Sequence, residues 1–205
     1  MRQLLDEIGV TFVNLWFAPY KLFEDEFFIL NTNDESIFYK LINYKTPEEH
    51  FYYYGNYYKA FIKNRLGFRD DFLCDNSVLF VGQCMTDISV LKDGVFLNIT
   101  HFKEKISNLL SQYSKIYYID HPFCKNVAHI DKYINQTKNI EKLEQIPTYY
   151  LLSSDKIKKV VGISSSILDE AKYFEKDVEF FFESIFQFNC KFGINNFINI
   201  YNKYY

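Results

Sequence analysis

Three apolar stretches of strand length each lead into small or polar residues, and these three clusters hold the side chains best suited to phosphate and proton chemistry. His121 and Pro122 follow the stretch 115–119, and Ser164 to Ser166 end the stretch 159–166. Gly82 and Gln83 lie near the end of the stretch 78–84. Because parallel strands of an open α/β sheet present their carboxyl ends at one edge, where ligands bind, these clusters predict a shared site.

His121 is the candidate acid of this site, and of the four histidines it is the one at such a strand end. Histidine changes charge near neutral pH, so its ring could neutralise a departing nucleotide or protonate it as a general acid. Pro122 would fix the backbone beside it, and Lys125 could add a second positive group. The alternative is that His121 only opens a surface loop.

The serine cluster precedes an amphipathic helix, with Gly162 just before it. A helix amino terminus offers unpaired N–H groups and a partial positive charge, and Ser164, Ser165 and Ser166 add hydroxyl donors, which suits a phosphate. Gly162 would let the chain approach the ligand closely. Ser166 and Asp169 also have capping-box spacing, so an ordinary helix cap remains the alternative.

The cluster after the first stretch supplies the remaining candidates. Gly82 permits a tight turn, Gln83 could hydrogen-bond a base or sugar, and Asp87 could deprotonate an acceptor hydroxyl. Asp93 is an alternative base, although Asp93-Gly94 is more simply a turn. The chain lacks a Walker loop, a G-x-G-x-x-G motif and a G-x-S-x-G elbow, which disfavours ATPase, dinucleotide-binding and hydrolase functions.

The elements around these clusters alternate between strand and helix patterns from residue 78 onward, which predicts an α/β fold with a parallel sheet. Strands are expected at 78–84, 115–119, 158–163 and 178–182. Helices are expected at 102–113, after residue 166 and at 195–204, and residues 126–144 are expected to be a loop with at most one helix.

The amino-terminal third shows weaker patterns. Residues 10–17, 27–30 and 36–44 are possible strands, and the acidic run 24–26 is interpreted as a solvated turn. A helix should start after Thr46, which can form a capping box with Glu49, and Pro47 suits the first helical position. Its aromatic face is interpreted as core, with a surface for a lipid or partner helix as the minor alternative; this face consists of Phe51, Tyr54, Tyr58, Phe61 and Ile62.

Composition limits the class of protein. The chain has 205 residues, is 48% hydrophobic and carries a net charge of −3, so a packed core is expected and nucleic-acid binding is disfavoured. The four cysteines show no C-x-x-C spacing, and we expect free thiols, without zinc or a disulfide framework. No signal-peptide pattern and no run of roughly 18 apolar residues is visible, so a soluble cytoplasmic protein is expected.

Four segments, 78–83, 118–122, 146–152 and 161–168, occur in the order seen in bacterial sialyltransferases. The chain resembles most closely the lipooligosaccharide sialyltransferases of glycosyltransferase family 52, and more loosely the capsular polysialyltransferases, over residues 78 to about 200. The resemblance implies a GT-B-type fold whose carboxyl-terminal Rossmann-like domain binds CMP-sialic acid without a metal or cofactor. It also implies that His121 is the general acid, that Ser164 to Ser166 bind the phosphate and that Asp87 is the base.

The chain departs from this family at three places. Phe123 stands where a basic residue commonly follows the His-Pro motif, and Thr148-Tyr149 follow Ile146-Pro147 where a glutamate is expected. The amino-terminal part is short for a Rossmann domain. The chain could therefore be truncated, divergent, or completed by dimerisation.

The expected function is an inverting, metal-independent transfer of sialic acid from CMP-sialic acid to a saccharide acceptor of lipooligosaccharide or capsule. Residues 1–77 would form the acceptor side or a dimer contact, and residues 78–205 the CMP-sugar domain. Two alternatives stay open: a transferase for another activated sugar such as CMP-Kdo, and a non-catalytic nucleotide-binding partner in polysaccharide synthesis. Peripheral contact with the cytoplasmic face of the inner membrane and a homodimer also stay open.

Overall fold

The computed structural model describes residues 2–17, 27–43, 47–124, 127–182 and 193–199. The chain divides into two compact units, Met1–Phe51 with Ile185–Tyr205, and Tyr52–Ser184. The boundary predicted after residue 77 falls inside the second unit, and the roles assigned to residues 1–77 and 78–205 stay predictions. Thr46, Lys125 and the acidic run 24–26 lie outside the described residues.

The described elements follow in chain order. They are α1 (Arg2–Glu7), β1 (Val13–Phe17), β2 (Phe27–Thr32), α2 (Glu35–Ile42), α3 (Glu48–Arg65), β3 (Ser77–Val81), β4 (Leu91–Lys92), β5 (Val95–Phe96), α4 (Lys103–Gln112), β6 (Lys115–Ile119), α5 (Ala128–Gln136), β7 (Ile140–Leu143), α6 (Thr148–Leu152), β8 (Ile157–Gly162), α7 (Ile167–Ala171), β9 (Asp177–Phe180) and β10 (Gly193–Asn199). Short 3₁₀ helices span Ile88–Val90, Ile99–Phe102 and Lys172–Phe174.

The second unit is built on a five-stranded parallel sheet with the order β7-β6-β3-β8-β9. All five residues of β3 are buried, as expected for a strand covered on both faces. Helices separate the parallel strands, because a parallel pair needs a crossover connection. The prediction of an α/β fold with a Rossmann-like parallel sheet is therefore confirmed.

Side chains alternate across this sheet, so each face has its own core. On one face Val78 and Phe80 pack with Ile106 of α4 and Ile130 of α5 in one buried cluster. Leu79 belongs to the opposite face, and Tyr173 is buried in the 3₁₀ helix after α7. At Gly55 any Cβ atom would overlap the backbone of Tyr173, so glycine lets α3 approach that segment closely.

The aromatic face predicted for α3 is only partly core. Phe51 and Ile62 are buried, but Phe61 is 40% exposed. Tyr53 and Tyr57 share the exposed side of α3, and the Tyr57 and Phe61 rings stack with 6.4 Å between centroids. The helix thus carries a second aromatic stripe, at i and i+4 spacing, that faces solvent.

Several predicted elements differ from the structure. Residues 36–44 were expected to form a strand but lie largely in α2, because Asp34 caps that helix by accepting a hydrogen bond from the Ile37 amide at 3.0 Å. The closing helix predicted at 195–204 is wrong in its described part, where β10 pairs with β2. The segment 126–144 contains α5 and also β7, which the sequence interpretation missed.

The first unit contains an antiparallel sheet with the order β1-β2-β10. The predicted strands at 10–17 and 27–30 correspond to β1 and β2. Within the part of the chain that the structure describes, no helix is both long and apolar enough to cross a membrane.

Candidate functional site

A cavity of about 440 Å³ lies at the carboxyl ends of β6 and β7. This is the edge where ligands bind in open α/β sheets. Its wall is formed by the end of β6 with the segment after it, and by the segment that joins β7 to α6. The lining residues are Ile119, Asp120, Pro122, Leu143, Glu144, Gln145, Ile146, Pro147 and Thr148.

Among the described residues, the charged groups that line this cavity are both carboxylates, Asp120 and Glu144. Asp120 is neutralised by Lys142, whose Nζ lies 2.7 Å from its Oδ2 and 2.6 Å from Oδ1 of Asp131. Burial opposes protonation of Lys142, but the hydrogen bonds to the two carboxylates outweigh it and raise the pKa of Lys142. The cavity therefore suits hydroxyl and amino donors better than a phosphate.

Gln145, at the rim of the cavity, has an unusual backbone conformation. Its φ of 59° lies in the left-handed region, which residues other than glycine seldom adopt. Glu144 and Gln145 are exposed there, and Ile146 is half-buried before the start of α6. Such conformations occur at ligand sites, but Asn76, Asn139 and Glu175 adopt them as well, so the φ of Gln145 does not by itself mark a site.

His121 borders the cavity through Pro122 and is half-buried. Its Nδ1 accepts a hydrogen bond from the Phe123 amide at 3.3 Å, and its carbonyl accepts one from the Cys124 amide at 3.0 Å. With Nδ1 accepting, the proton of the neutral ring is on Nε2, which can then donate to an anion. Phe123, beside this ring, is 88% exposed.

Gln83 and Ser164 bond to each other. The Ser164 amide donates to Oε1 of Gln83 at 2.6 Å, and Nε2 of Gln83 donates to Oγ of Ser164 at 3.1 Å. Ser164 is buried and also donates to the Ser89 carbonyl at 3.0 Å. These bonds tie the end of β3 to the end of β8. The predicted ligand contacts of both residues stay predictions.

The predicted capping box at the start of α7 does not form. Ser166 has helical dihedral angles, with φ −61° and ψ −23°, so its side chain makes no cap hydrogen bond. Oδ2 of Asp169 is buried and has no hydrogen-bond partner among the described residues. Burial raises the pKa of Asp169 to about 6. Ser165 and Ser166 are half-buried at this helix start, and their phosphate contact stays a prediction.

Packing between strands favours glycine at position 82 and, less strictly, at position 162. A Cβ atom on Gly82 would lie 2.5 Å from Oη of Tyr118 and 2.8 Å from the Ile119 carbonyl oxygen. A Cβ atom on Gly162 would lie 3.1 Å from the Val81 carbonyl oxygen. These neighbours account for both glycines without a ligand, and the predicted nucleotide contacts stay untested.

The two candidate bases differ in structural role. Asp87 is half-buried and caps the 3₁₀ helix at 88–90, where its carboxylate accepts a hydrogen bond from the Ser89 amide at 2.9 Å. Asp93 lies at the tip of the β4–β5 hairpin, where Asp93 and Gly94 have φ values of 49° and 79°. Two positive φ values are typical of a tight hairpin turn, which confirms the turn interpretation of Asp93-Gly94.

The expectation that all cysteines are free is wrong. Cys84 and Cys124 form a disulfide with 5.3 Å between their Cα atoms, within the usual range for such bonds. The pairing was hidden because the two residues are 40 positions apart, and only the neighbouring positions of β3 and β6 bring them together. Cys74 is free and exposed, and Cys190 lies outside the described residues.

The sequence interpretation missed Glu144, Gln145 and Thr148, which line the cavity. The signal that could have located them is the strand β7, whose pattern of buried ends and polar middle precedes them directly. Across the described ranges, no group of three or more His, Cys, Asp or Glu side chains forms a metal-binding cluster.

Comparison with known proteins gives limited similarity. No protein-family model matches the chain, and no curated protein matches it. Among solved structures, the chain is similar to Thermosulfurimonas dismutans KpsC, beta Kdo 2,7 transferase, at 15% sequence identity and a TM-score of 0.44. The match covers 85% of this chain and 60% of that one.

Proposed function

We propose that the chain is a glycosyltransferase that uses a CMP-activated acidic sugar, with CMP-sialic acid as donor and a saccharide of lipooligosaccharide or capsule as acceptor. The observation that carries this proposal is the cavity next to His121 and Pro122, at the ligand edge of the parallel sheet. The order of the four sequence segments described above supports the choice of donor.

The cavity would hold the nucleoside. Its volume of about 440 Å³ falls within the range of small-molecule pockets. Glu144 is exposed and forms no hydrogen bond or ion pair within the described part of the chain, so its carboxylate can accept from ribose hydroxyls or from the cytosine amino group. Pro122, Ile146 and Pro147 offer apolar surface to the base.

The phosphate would lie outside the acidic cavity, at His121. As the bond between the sugar carbon and the phosphate oxygen breaks, its electron pair passes to that oxygen, and Nε2 of His121 donates a hydrogen bond to the leaving CMP. To donate a proton as a general acid, the ring would first have to be protonated on both nitrogens, which requires the Phe123 amide to release Nδ1. Ser165 and Ser166 would add hydroxyl donors.

The acceptor would be activated at Asp87. Its carboxylate takes the proton of the acceptor hydroxyl, which attacks the sugar carbon from the face opposite CMP and inverts its configuration. Protein groups supply the charge stabilisation in this scheme, so the proposal needs no metal ion or cofactor.

Two alternatives belong to the same site. CMP-Kdo offers the same nucleotide and another acidic sugar, so the cavity and His121 would serve it equally. A non-catalytic nucleotide-binding partner in polysaccharide synthesis is favoured by the exposed Phe123 beside His121, where a cation would help the phosphate leave. Action in the cytoplasm, with peripheral contact to the inner membrane or as a homodimer, is compatible with each of these.

The first test compares thermal unfolding with CMP, UDP and GDP, followed by mass spectrometry of reactions with CMP-sialic acid and CMP-Kdo. We expect CMP to stabilise the chain most and His121→Ala to abolish donor consumption. His129→Ala alters an exposed histidine on α5 and is the matched control, which should keep activity. Stabilisation by CMP without donor consumption at high protein concentration would support the non-catalytic alternative. No stabilisation by CMP together with no consumption of either donor would contradict the proposal.

A further inference from the structure

The disulfide Cys84–Cys124 joins two loops at the ligand edge of the sheet. Cys84 follows the end of β3 and Cys124 follows the end of β6, and these two strands are neighbours that pair Val81 with Ile119. The bond therefore joins the loop that carries Asp87 to the loop that carries His121.

Each half of the disulfide shares a hydrogen-bonded turn with one of the proposed catalytic groups. The Asp87 amide donates to the Cys84 carbonyl at 3.0 Å, and the Cys124 amide donates to the His121 carbonyl, also at 3.0 Å. Thr86 tightens the first turn through a 3.0 Å contact between its hydroxyl and the Cys84 sulfur. Each cysteine is thus three residues from a proposed acid or base, and a short turn transmits its position.

Other links between the two loops are sparse. The hydrogen bonds between β3 and β6 end where the Gly82 amide donates to the Ile119 carbonyl at 2.9 Å. Beyond that point, and among the residues that the structure describes, no hydrogen bond or ion pair joins the segment 83–89 to the segment 120–124. Among the hydrogen bonds, ion pairs and covalent links of the described residues, the disulfide is therefore the one that joins the two turns.

We propose that Cys84 and Cys124 are positioning residues that hold Asp87 and His121 at the separation needed for transfer, and that reduction of their disulfide switches the site off reversibly. This inference rests on the proposed function. A dithiol reductant breaks the S–S bond, each sulfur gains one electron and one proton, and the dithiol closes to a cyclic disulfide. The two turns then move independently, and the acid and base lose their alignment.

Reduction of the disulfide should change ligand binding in the cavity less than it changes turnover. Most of its lining comes from the segment 143–148, which lies outside both turns. Reduction should therefore lower kcat by about tenfold or more, because small misplacements of catalytic groups are costly, while cytidine binding is retained. Reoxidation should restore turnover in the natural sequence.

The test measures donor consumption, cytidine affinity and the NMR signals of the His121 ring in the full chain, before and after dithiothreitol. The variants are Cys84→Ser, Cys84→Ser with Cys124→Ser, and the control Cys74→Ser, which changes an exposed free thiol. We expect both Cys84 variants to resemble the reduced protein, to bind cytidine and to be insensitive to dithiothreitol. Cys74→Ser should behave as the natural sequence does.

The ring signals keep this inference separate from the proposed function. If no CMP-sugar is consumed in any state, the function fails, but a shift of the His121 signals caused by Cys84→Ser, a change in another loop, still supports the coupling. The inference is overturned if the His121 signals and turnover are the same in oxidised and reduced protein. It is also overturned if mass spectrometry of air-oxidised protein finds both thiols free.

Discussion

Asp169 lies in α7 with its Oδ2 atom buried and without a hydrogen-bond partner in the described ranges. Burial raises its pKa from 3.8 to about 6. Between these two values the folded state binds more protons than the unfolded state, so this residue lowers stability as pH rises through that window. The penalty is fully present at neutral pH.

Replacing this carboxylate by the isosteric amide should remove the penalty. Asp169→Asn is expected to raise the free energy of unfolding at pH 7 by up to about 3 kcal/mol, and the gain should vanish below about pH 4. Urea unfolding at several pH values measures it. Asp71→Asn changes an exposed carboxylate and should give no gain at pH 7. An Asp169→Asn variant no more stable than the natural sequence would contradict the account.

Substitution of Gly82 tests whether packing, rather than a ligand, requires glycine after the end of β3. An added methyl group would meet Tyr118 Oη and the Ile119 carbonyl oxygen at 2.5 and 2.8 Å, so Gly82→Ala should cost about 1–3 kcal/mol of stability. Gly162→Ala meets its nearest neighbour at 3.1 Å and should cost less. Chemical denaturation without nucleotide gives both values, and the reverse order would show that the packing argument is wrong.

The ends of β3 and β8 are joined by Gln83, whose Oε1 accepts from the Ser164 amide. Gln83→Ala would leave that buried amide without its acceptor, at a cost of about 1–3 kcal/mol. Ser165→Ala, at the next and half-buried serine, should change stability by less than about 0.5 kcal/mol. Thermal unfolding of both variants makes the comparison. If Gln83→Ala and Ser165→Ala were equally stable, the hydrogen bond from the Ser164 amide to Gln83 would not contribute to stability.

Whether a strand could be predicted depended on the order of apolar and polar residues within it. The strands β3 and β6 were predicted because their residues form short continuous apolar runs rich in β-favouring side chains, a pattern typical of strands buried on both faces. Strand β7 has a polar middle at Glu141 and Lys142, so its sequence is equally typical of a loop. Its omission also concealed the cavity, because Glu144 and Gln145 take their positions from the end of β7.

The site was predictable as an edge of the sheet but not in its details. Pro122 lines the cavity and His121 directly precedes it in the chain, while the functional roles of both residues stay predictions. The bonds of Gln83 to Ser164 and the pairing of Cys84 with Cys124 depend on which strands are neighbours, information that a single sequence does not contain. Contacts of high sequence separation are therefore the part of the site that the sequence could not supply.

At the scale of the whole molecule, the parallel sheet should be the most stable part of the chain. β3 lies at its centre, hydrogen-bonded to β6 and β8, whereas β7 and β9 lie at its edges. Hydrogen–deuterium exchange should therefore be slowest in β3 peptides and faster in those of β7 and β9, since central strands open only with global unfolding. Exchange in β3 as fast as in β7 would contradict this order.

We propose that one edge of this sheet binds CMP, with the nucleoside in the cavity at Glu144 and the phosphate at His121. Calorimetric titration of CMP and cytidine into the natural sequence, His121→Ala and Glu144→Gln tests it most directly. We predict that His121→Ala weakens the binding of CMP by about tenfold or more, which corresponds to the loss of a hydrogen bond to a charged group. The binding of cytidine should stay nearly unchanged. Glu144→Gln should weaken the binding of both CMP and cytidine. Absence of CMP binding, or an equal loss of affinity for CMP and cytidine in His121→Ala, would contradict this proposal.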